Sequence, residues 1–123
     1  MKIVRKCKPQ TVIVTGGRDY SSAGALYATL DALHKRRPIT LLVHGGASGA
    51  DKMAAEWANH RDVNSLEFSA DWNGHGRAAG PLRNQRMVDR GADLVVAFPG
   101  GRGTADCVRR ARAAGIEVLE VKP

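Results

Sequence analysis

The sequence predicts an α/β fold, a single three-layer domain built around a five-stranded, mostly parallel sheet. Three observations predict it. From Thr11 onward short apolar runs alternate with helical patterns, which is the signature of repeated βα units. Three of the predicted strands end in paired glycine, at Gly16-Gly17, Gly45-Gly46 and Gly100-Gly101. The chain has 123 residues, enough for one core and too few for two.

Residues 1 to 10 have mixed character, a Lys8-Pro9 break and no clear period, and read as a basic N-terminal tail or an added strand; the domain proper is expected over 11–123. A strand at Val12 to Thr15 leads to a helix near Ser21 to Lys35, with Ser21 and Ser22 as N-cap candidates and Leu26, Leu30 and Leu33 on its inner face. A strand from Ile39 to His44 precedes a helix near Gly49 to His60, where Ala50, Met53, Ala54, Trp57 and Ala58 repeat at helical spacing. A strand around Ser65 to Ala70 follows. The stretch Asp71 to Leu82, with Trp72, His75, Arg77 and three glycines, reads as a long loop of the kind used as a lid or binding segment. A helix near Leu82 to Arg90, the strand at Asp93, a helix near Thr104 to Ala114 and a last strand at Ile116 to Val121 complete the chain.

The strand order is also predicted. Leu66, Phe68 and Ala70 alternate with polar residues, and so, less strictly, do Ile116, Val118 and Val121, as half-exposed edge strands do. The runs at Val12, Leu41 and Leu94 are continuously apolar, as strands covered on both faces are. Edges at strands three and five give the Rossmann-like order 3-2-1-4-5, with strands one and four side by side. Ligands of open α/β sheets sit in the crevice at the carboxyl ends of such a pair, here between the Thr15-Gly-Gly-Arg-Asp19 turn and the Pro99 turn.

The segment from Asp93 to Thr104 carries the clearest chemistry. An apolar strand stops in Pro99, Gly100 and Gly101, and a helix is expected to restart with Thr104 as its N-cap. Glycines let backbone N–H groups approach a ligand without a Cβ in the way, and the helix start adds unpaired donors and the positive end of the dipole. That combination is an anion site. A dinucleotide fingerprint is absent, since no Gly-x-Gly-x-x-Gly follows the first strand and the second ends in His44-Gly45 where an acidic ribose ligand would sit.

Of the net charge of +7, four charges come from Lys2, Arg5, Lys6 and Lys8, leaving +3 for the rest. A mildly basic domain suits phosphate-bearing small molecules as well as polymers. Aromatics are 5% of the chain and are not interleaved with the arginines as a strand-stacking platform requires, so any nucleic-acid binding is expected to be weak and non-specific. No apolar run approaches the ~20 residues of a membrane span, and the basic start lacks the features of a signal peptide, so no membrane association and a cytoplasmic location are expected. Cys7 and Cys107 form neither a metal spacing nor a disulfide framework, and His44 and His75 add no close spacing; neither metal nor cofactor is expected. Trp72 either stacks on a base or plugs the core.

Four motifs in order, Thr15-Gly-Gly-Arg-Asp-Tyr20, His44-Gly-Gly-Ala-Ser-Gly-Ala-Asp51, Gly80-Pro-Leu-Arg-Asn-Gln-Arg-Met87 and Pro99-Gly-Gly-Arg-Gly-Thr104, carry a resemblance. Over nearly all of residues 11–121 the chain resembles the YspA, YpsA-related branch of the SLOG superfamily, Rossmann-like domains that include the Lonely Guy phosphoribohydrolases and the DNA-processing protein DprA. The resemblance implies a nucleotide or nucleotide-derived ligand, a nucleoside monophosphate or an ADP-ribose-like molecule, at the glycine-rich rim, and a homodimer, since relatives are commonly dimers. The residues expected to bind it are Gly16, Gly17, Arg18, Asp19, Gly45, Gly46, Ser48, Arg83, Asn84, Pro99, Gly100, Gly101, Gly103 and Thr104. Arg83 is the phosphate clamp, because a guanidinium matches phosphate bidentately.

Lonely Guy enzymes cleave the N-glycosidic bond of nucleoside 5′-monophosphates through Arg-Lys-x-x-Met and Pro-Gly-Gly-x-Gly-Thr-x-x-Glu. Arg83 and Met87 match the first pattern, with Asn84 at its lysine; Pro99, Gly100, Gly101, Gly103 and Thr104 match the second, with Cys107 at its glutamate. Arg83 is thus the one catalytic residue carried over. A thiol is a poor substitute for a carboxylate beside an oxocarbenium-like transition state. Asp106, Asp19 and Asp71 are the candidates for a displaced acid, and Cys107 shares a helical face with Val108, Ala111 and Ala114 that reads as buried. The expected function is nucleotide-ligand binding. The alternatives are an N-glycosidase of nucleoside monophosphates and DprA-like single-stranded DNA binding through Arg102, Arg109, Arg110 and Arg112.

Overall fold

The structure, a computed structural model, describes residues 8–123. The elements are β1 (Gln10–Thr15), α1 (Ala23–Arg36), β2 (Ile39–His44), α2 (Ala50–His60), β3 (Asn64–Glu67), α3 (Trp72–His75), a 3₁₀ turn (Gly76–Ala78), α4 (Ala79–Arg90), β4 (Leu94–Ala97), α5 (Arg102–Ala113) and β5 (Glu117–Glu120). All strand pairings are parallel and the order is β3-β2-β1-β4-β5, as the edge and core patterns predicted.

Alternation along the strands builds two cores. Val12, Val14, Leu42, Leu94 and Val96 face one side and pack on Leu26, Leu30, Ala54 and Trp57 of α1 and α2. Ile13, Val43 and Val95 face the other and pack on Met87, Val88, Cys107 and Ala111 of α4 and α5. Helices switch sides after β3 because right-handed crossovers to the left and to the right of β1 must lie on opposite faces. Trp57 is fully buried, yet its Nε1 donates to Asp31 Oδ1 at 2.8 Å, and Arg61 grips the same carboxylate, so α1 and α2 are tied by a polar contact at the rim of their core.

Several boundaries differ from expectation. The predicted tail and added strand fall mainly on residues 1–7, outside the described residues. At its far end Gln10 already belongs to β1: its N–H donates to Pro38 O at 2.8 Å and its Nε2 to Arg37 O at 2.8 Å. The stretch 71–82 is not a long loop but α3, a 3₁₀ turn and the first turn of α4. Its glycines suggested breaks, whereas the Asp71 carboxylate caps α3 by accepting from Gly74 N at 2.9 Å. Pro81 is the third residue of α4, where a missing N–H costs nothing because first-turn donors have no intrahelical partner.

Candidate functional site

The three glycine turns meet at the carboxyl end of the sheet. Gly17 N donates to Pro99 O at 2.9 Å, and Gly17 O accepts from Ala50 N at 3.2 Å, so the turn after β1 is bonded to the other two. Ser48 Oγ donates to Arg18 O at 3.2 Å. Gly49 has φ +74, and a Cβ there would strike the carbonyl oxygens of Gly17 and Arg18. This packing leaves a cleft of about 730 Å³ between the turns, α4 and the start of α5, a volume in the range of small-molecule sites.

Gly16, Gly17, Arg18, Arg83, Asn84, Gly101, Gly103 and Thr104 line that cleft. Gly45, Gly46 and Ser48 line a recess of about 290 Å³ that shares Arg18, Ala47, Trp72 and Arg83 with it. Pro99 and Gly100 border a different depression, beside Arg112 and Glu120, although Gly101 and Thr104 border both. Asp19 is exposed and lines none of these.

Thr104 is not the N-cap of α5. Gly101 holds that position and its carbonyl accepts from Ala105 N at 3.1 Å, so the N-cap lies three residues earlier than expected and Thr104 lies within the first turn. The amides of the first turn lack helical acceptors, and no acidic residue stands there to offset the positive dipole end. Arg18, Arg77, Arg83 and Arg102 add positive charge around the same cleft, while Arg109 there is paired with Asp106, and Asp51 is a second carboxylate on its wall.

Arg83 is positioned on both sides. Its Nη1 donates to Gly45 O at 2.6 Å and its Nε to Asn84 Oδ1 at 2.9 Å; among the described residues Nη2 has no partner. Asn84, buried, donates in turn to Asp106 Oδ2 at 3.0 Å and to Gly103 O at 3.1 Å, so one side chain fixes both Arg83 and the α5 start. Burial pushes the Asp106 carboxyl up, but hydrogen bonds from Arg110 and Asn84 and the charges of Arg110 and Arg109 outweigh it and hold the group below its ordinary range. Asp106 is an organising anion with its oxygens occupied. Burial pushes the Cys107 thiol up to about 11, against the hydrogen bond with Thr15, and the side chain is fully enclosed, which makes it an inert core group.

Residues 10–75, more than half of the chain, match the YspA, cpYpsA-related SLOG family. The chain belongs to that family. The Gene 61 protein of Mycobacterium phage D29 is 42% identical, over 88% of this chain and 93% of its own length. The X-ray structure of DNA processing protein A (DprA) from Streptococcus pneumoniae is similar in fold, with a TM-score of 0.75 at 16% identity, over 92% of this chain and 50% of that one. Glycinamide ribonucleotide transformylase 1 from Symbiobacterium toebii gives a TM-score of 0.55 at 19% identity, over 95% and 51%. The chain spans about half the length of both solved structures.

The family match covers β1 through α3, hence two of the three glycine turns, and this SLOG domain adds residues at the cleft that sequence reasoning missed. Asp51 in the first turn of α2 is buried and lines the cleft. Its Oδ2 accepts from Gly45 N at 2.9 Å and Ala47 N at 3.3 Å, while Oδ1 receives no hydrogen bond from the described residues. Burial raises its carboxyl above the ordinary value of 3.8, against those two backbone donors and the charges of Arg83 and His44. His44 is buried beside it; burial lowers its imidazole pKa from the ordinary value, against the charges of Asp51 and Glu67, and its Nδ1 accepts from Gly46 N at 3.0 Å. Trp72 is not a core plug: it is 49% exposed, lines cleft and recess, and carries the Arg18 guanidinium 5.4 Å from its ring centroid. His75 pairs with Asp71 at 3.6 Å, away from the cleft, and among the described residues no three His, Cys, Asp or Glu side chains gather as metal ligands.

The Asp51 assignment carries a stability prediction. A carboxyl whose folded pKa is raised binds more protons folded than unfolded between 3.8 and its raised value, so stability falls as pH rises through that window. Asp51→Asn keeps an acceptor for Gly45 and Ala47 without the charge. Its thermal midpoint, measured across acid to neutral pH, is expected to gain on wild type as pH rises through that window and to keep a constant advantage above it.

Proposed function

We propose that the cleft binds the phosphate of a nucleoside monophosphate or ADP-ribose-like ligand. The observation that carries this reading is the convergence on one cleft of the uncompensated α5 start and the free Nη2 of Arg83. First-turn amides and a guanidinium together are a phosphate cradle, and the exposed face of Trp72 on the same wall suits a base. Family membership supports a nucleotide- or nucleic-acid-related role in general terms. Calorimetric titration with AMP, NAD and ADP-ribose tests it: binding by at least one is expected, and none at millimolar concentration would exclude the reading.

Gly45→Ala is a selective probe. A Cβ at Gly45 would occupy the space of the Arg83 guanidinium, the movable end of a flexible chain, and the backbone there is not left-handed. Stability is therefore expected to change by less than ~1 kcal/mol, while affinity for whichever nucleotide binds falls several-fold because Arg83 is displaced.

A second reading is favoured by Asp51. With Cys107 inert and Asp106 committed, Asp51 is the buried carboxylate at the cleft with an oxygen free, and it suits charge stabilisation or water activation in N-glycosidic hydrolysis. Water would add to the anomeric carbon and the base leave with a proton, giving free base and ribose 5-phosphate from AMP. Chromatographic detection of both products, lost in Asp51→Asn, supports this reading; absence of release leaves the binding domain. DNA binding has less support. Of the four arginines expected to carry it, Arg109 and Arg110 are engaged by Asp106 and Arg112 by Glu120, which leaves Arg102 alone without an ion-pair partner among the described residues.

A further inference from the structure

We infer that the recess beside the cleft is a ribose subsite, with Glu67 as the acceptor that recognises the sugar 2′-hydroxyl; this rests on the nucleotide reading above. In dinucleotide-binding α/β folds an acidic side chain at the end of the second strand takes this role, and β2 here ends in His44-Gly45. The structure supplies the carboxylate from the neighbouring strand. Glu67 ends β3 in register with His44, and Phe68 N donates to His44 O at 2.8 Å. Its carboxylate lies where a Cβ of Gly46 would be, and Gly46, at φ +76, is the residue type that admits it.

The carboxylate is oriented. Ser69 Oγ donates to Oε2 at 2.7 Å, and Arg86 Nη2 donates to Ser69 O at 2.7 Å, fixing that turn. Oε1 receives no hydrogen bond from the described residues. Ser48 Oγ has its proton committed to Arg18 O, so it too presents lone pairs. The recess is therefore walled by Glu67 and Ser48 acceptors. A phosphate is repelled by Glu67; hydroxyl groups are what such acceptors take. At about 290 Å³ the recess lies just under the ~300–1,000 Å³ of whole-ligand sites, which fits part of a ligand. Arg18 and Arg83 stand on the boundary with the main cleft. Phosphate goes to the cleft and the sugar edge to the recess, which selects ribonucleotides over deoxyribonucleotides.

Calorimetry with AMP, GMP and CMP, each against its 2′-deoxy counterpart, tests the subsite in wild type, Glu67→Ala and Glu67→Gln, with circular dichroism confirming that the variants fold. Wild type is expected to bind the ribonucleotide roughly tenfold or more tightly, the scale of a hydrogen bond to a charged acceptor. Glu67→Ala is expected to remove that preference by weakening only the ribonucleotide, with Glu67→Gln between the two. Equal affinity for the two sugars in wild type, or equal loss of both in Glu67→Ala, overturns the subsite and leaves the nucleotide reading standing. Failure of every nucleotide to bind wild type overturns both.

Discussion

Gly49→Ala is expected to lower the free energy of unfolding by about 3 kcal/mol, the sum of an alanine held at φ +74 and ψ -125, a backbone region kept almost to glycine, at about 1–3 kcal/mol and a steric clash at about 1–3 kcal/mol. The clash is with backbone on both counts, the carbonyls of Gly17 and Arg18, so no side-chain rotation relieves it. Because the Gly17 carbonyl also receives the Ala50 N–H, the change forces apart the turns after β1 and β2. Urea unfolding measures this as a fall in midpoint with little change in slope. Gly24→Ala is the control: it lies in α1 with open space around its missing Cβ, and a gain of about 0.5–1 kcal/mol is expected from helix propensity. An unchanged midpoint in Gly49→Ala would mean that the turns are not packed as described.

Arg83→Ala is expected to weaken binding of a phosphorylated ligand by about 1.5–3 kcal/mol, roughly ten- to hundredfold, the range for charge-assisted hydrogen bonds. The same truncation removes the donor to Gly45 O and the partner of Asn84 Oδ1. A thermal melt must therefore accompany the titration. Arg83→Lys separates charge from geometry: it keeps the charge but lacks the planar fork, and is expected to recover only part of the affinity. Full affinity in Arg83→Ala would remove Arg83 from the site.

The strand order was legible because burial leaves a mark on each strand separately. Val12 to Val14 and Leu94 to Val96 are covered on both faces and are apolar throughout, whereas every residue of β3 is exposed, Leu66 included at 39%. The start of α5 was not legible. Arg102-Gly103 is a poor helix opening by propensity, and it becomes one because Asn84, from another helix, holds the Gly103 carbonyl. Segment 71–82 misled for a related reason, since Gly74, Gly76 and Gly80 read as breaks while Asp71 caps one turn and Trp72 packs against Gly80. At the site, the glycine turns and Arg83 were legible because their residue types are unusual at those spacings. Asp51 and Glu67 were hidden behind ordinary roles, a first-turn acid that reads as a dipole partner and a polar residue in an alternating edge strand. Only the register of β3 beside β2, and the depth at which α2 meets the cleft, reveal what their carboxylates face.

The central claim is that phosphate sits between the α5 start and Arg83. Its most direct test is a titration of ¹⁵N-labelled protein with AMP, followed through backbone amide and arginine side-chain resonances. The predicted result is saturable shifts concentrated at the amides of Arg102, Gly103 and Thr104 and at the Arg83 guanidinium, with Trp72 Nε1 moving in step and inorganic phosphate reproducing the first set alone. No shifts at millimolar AMP, or shifts confined to exposed arginines that do not line the cleft, such as Arg112, would contradict it.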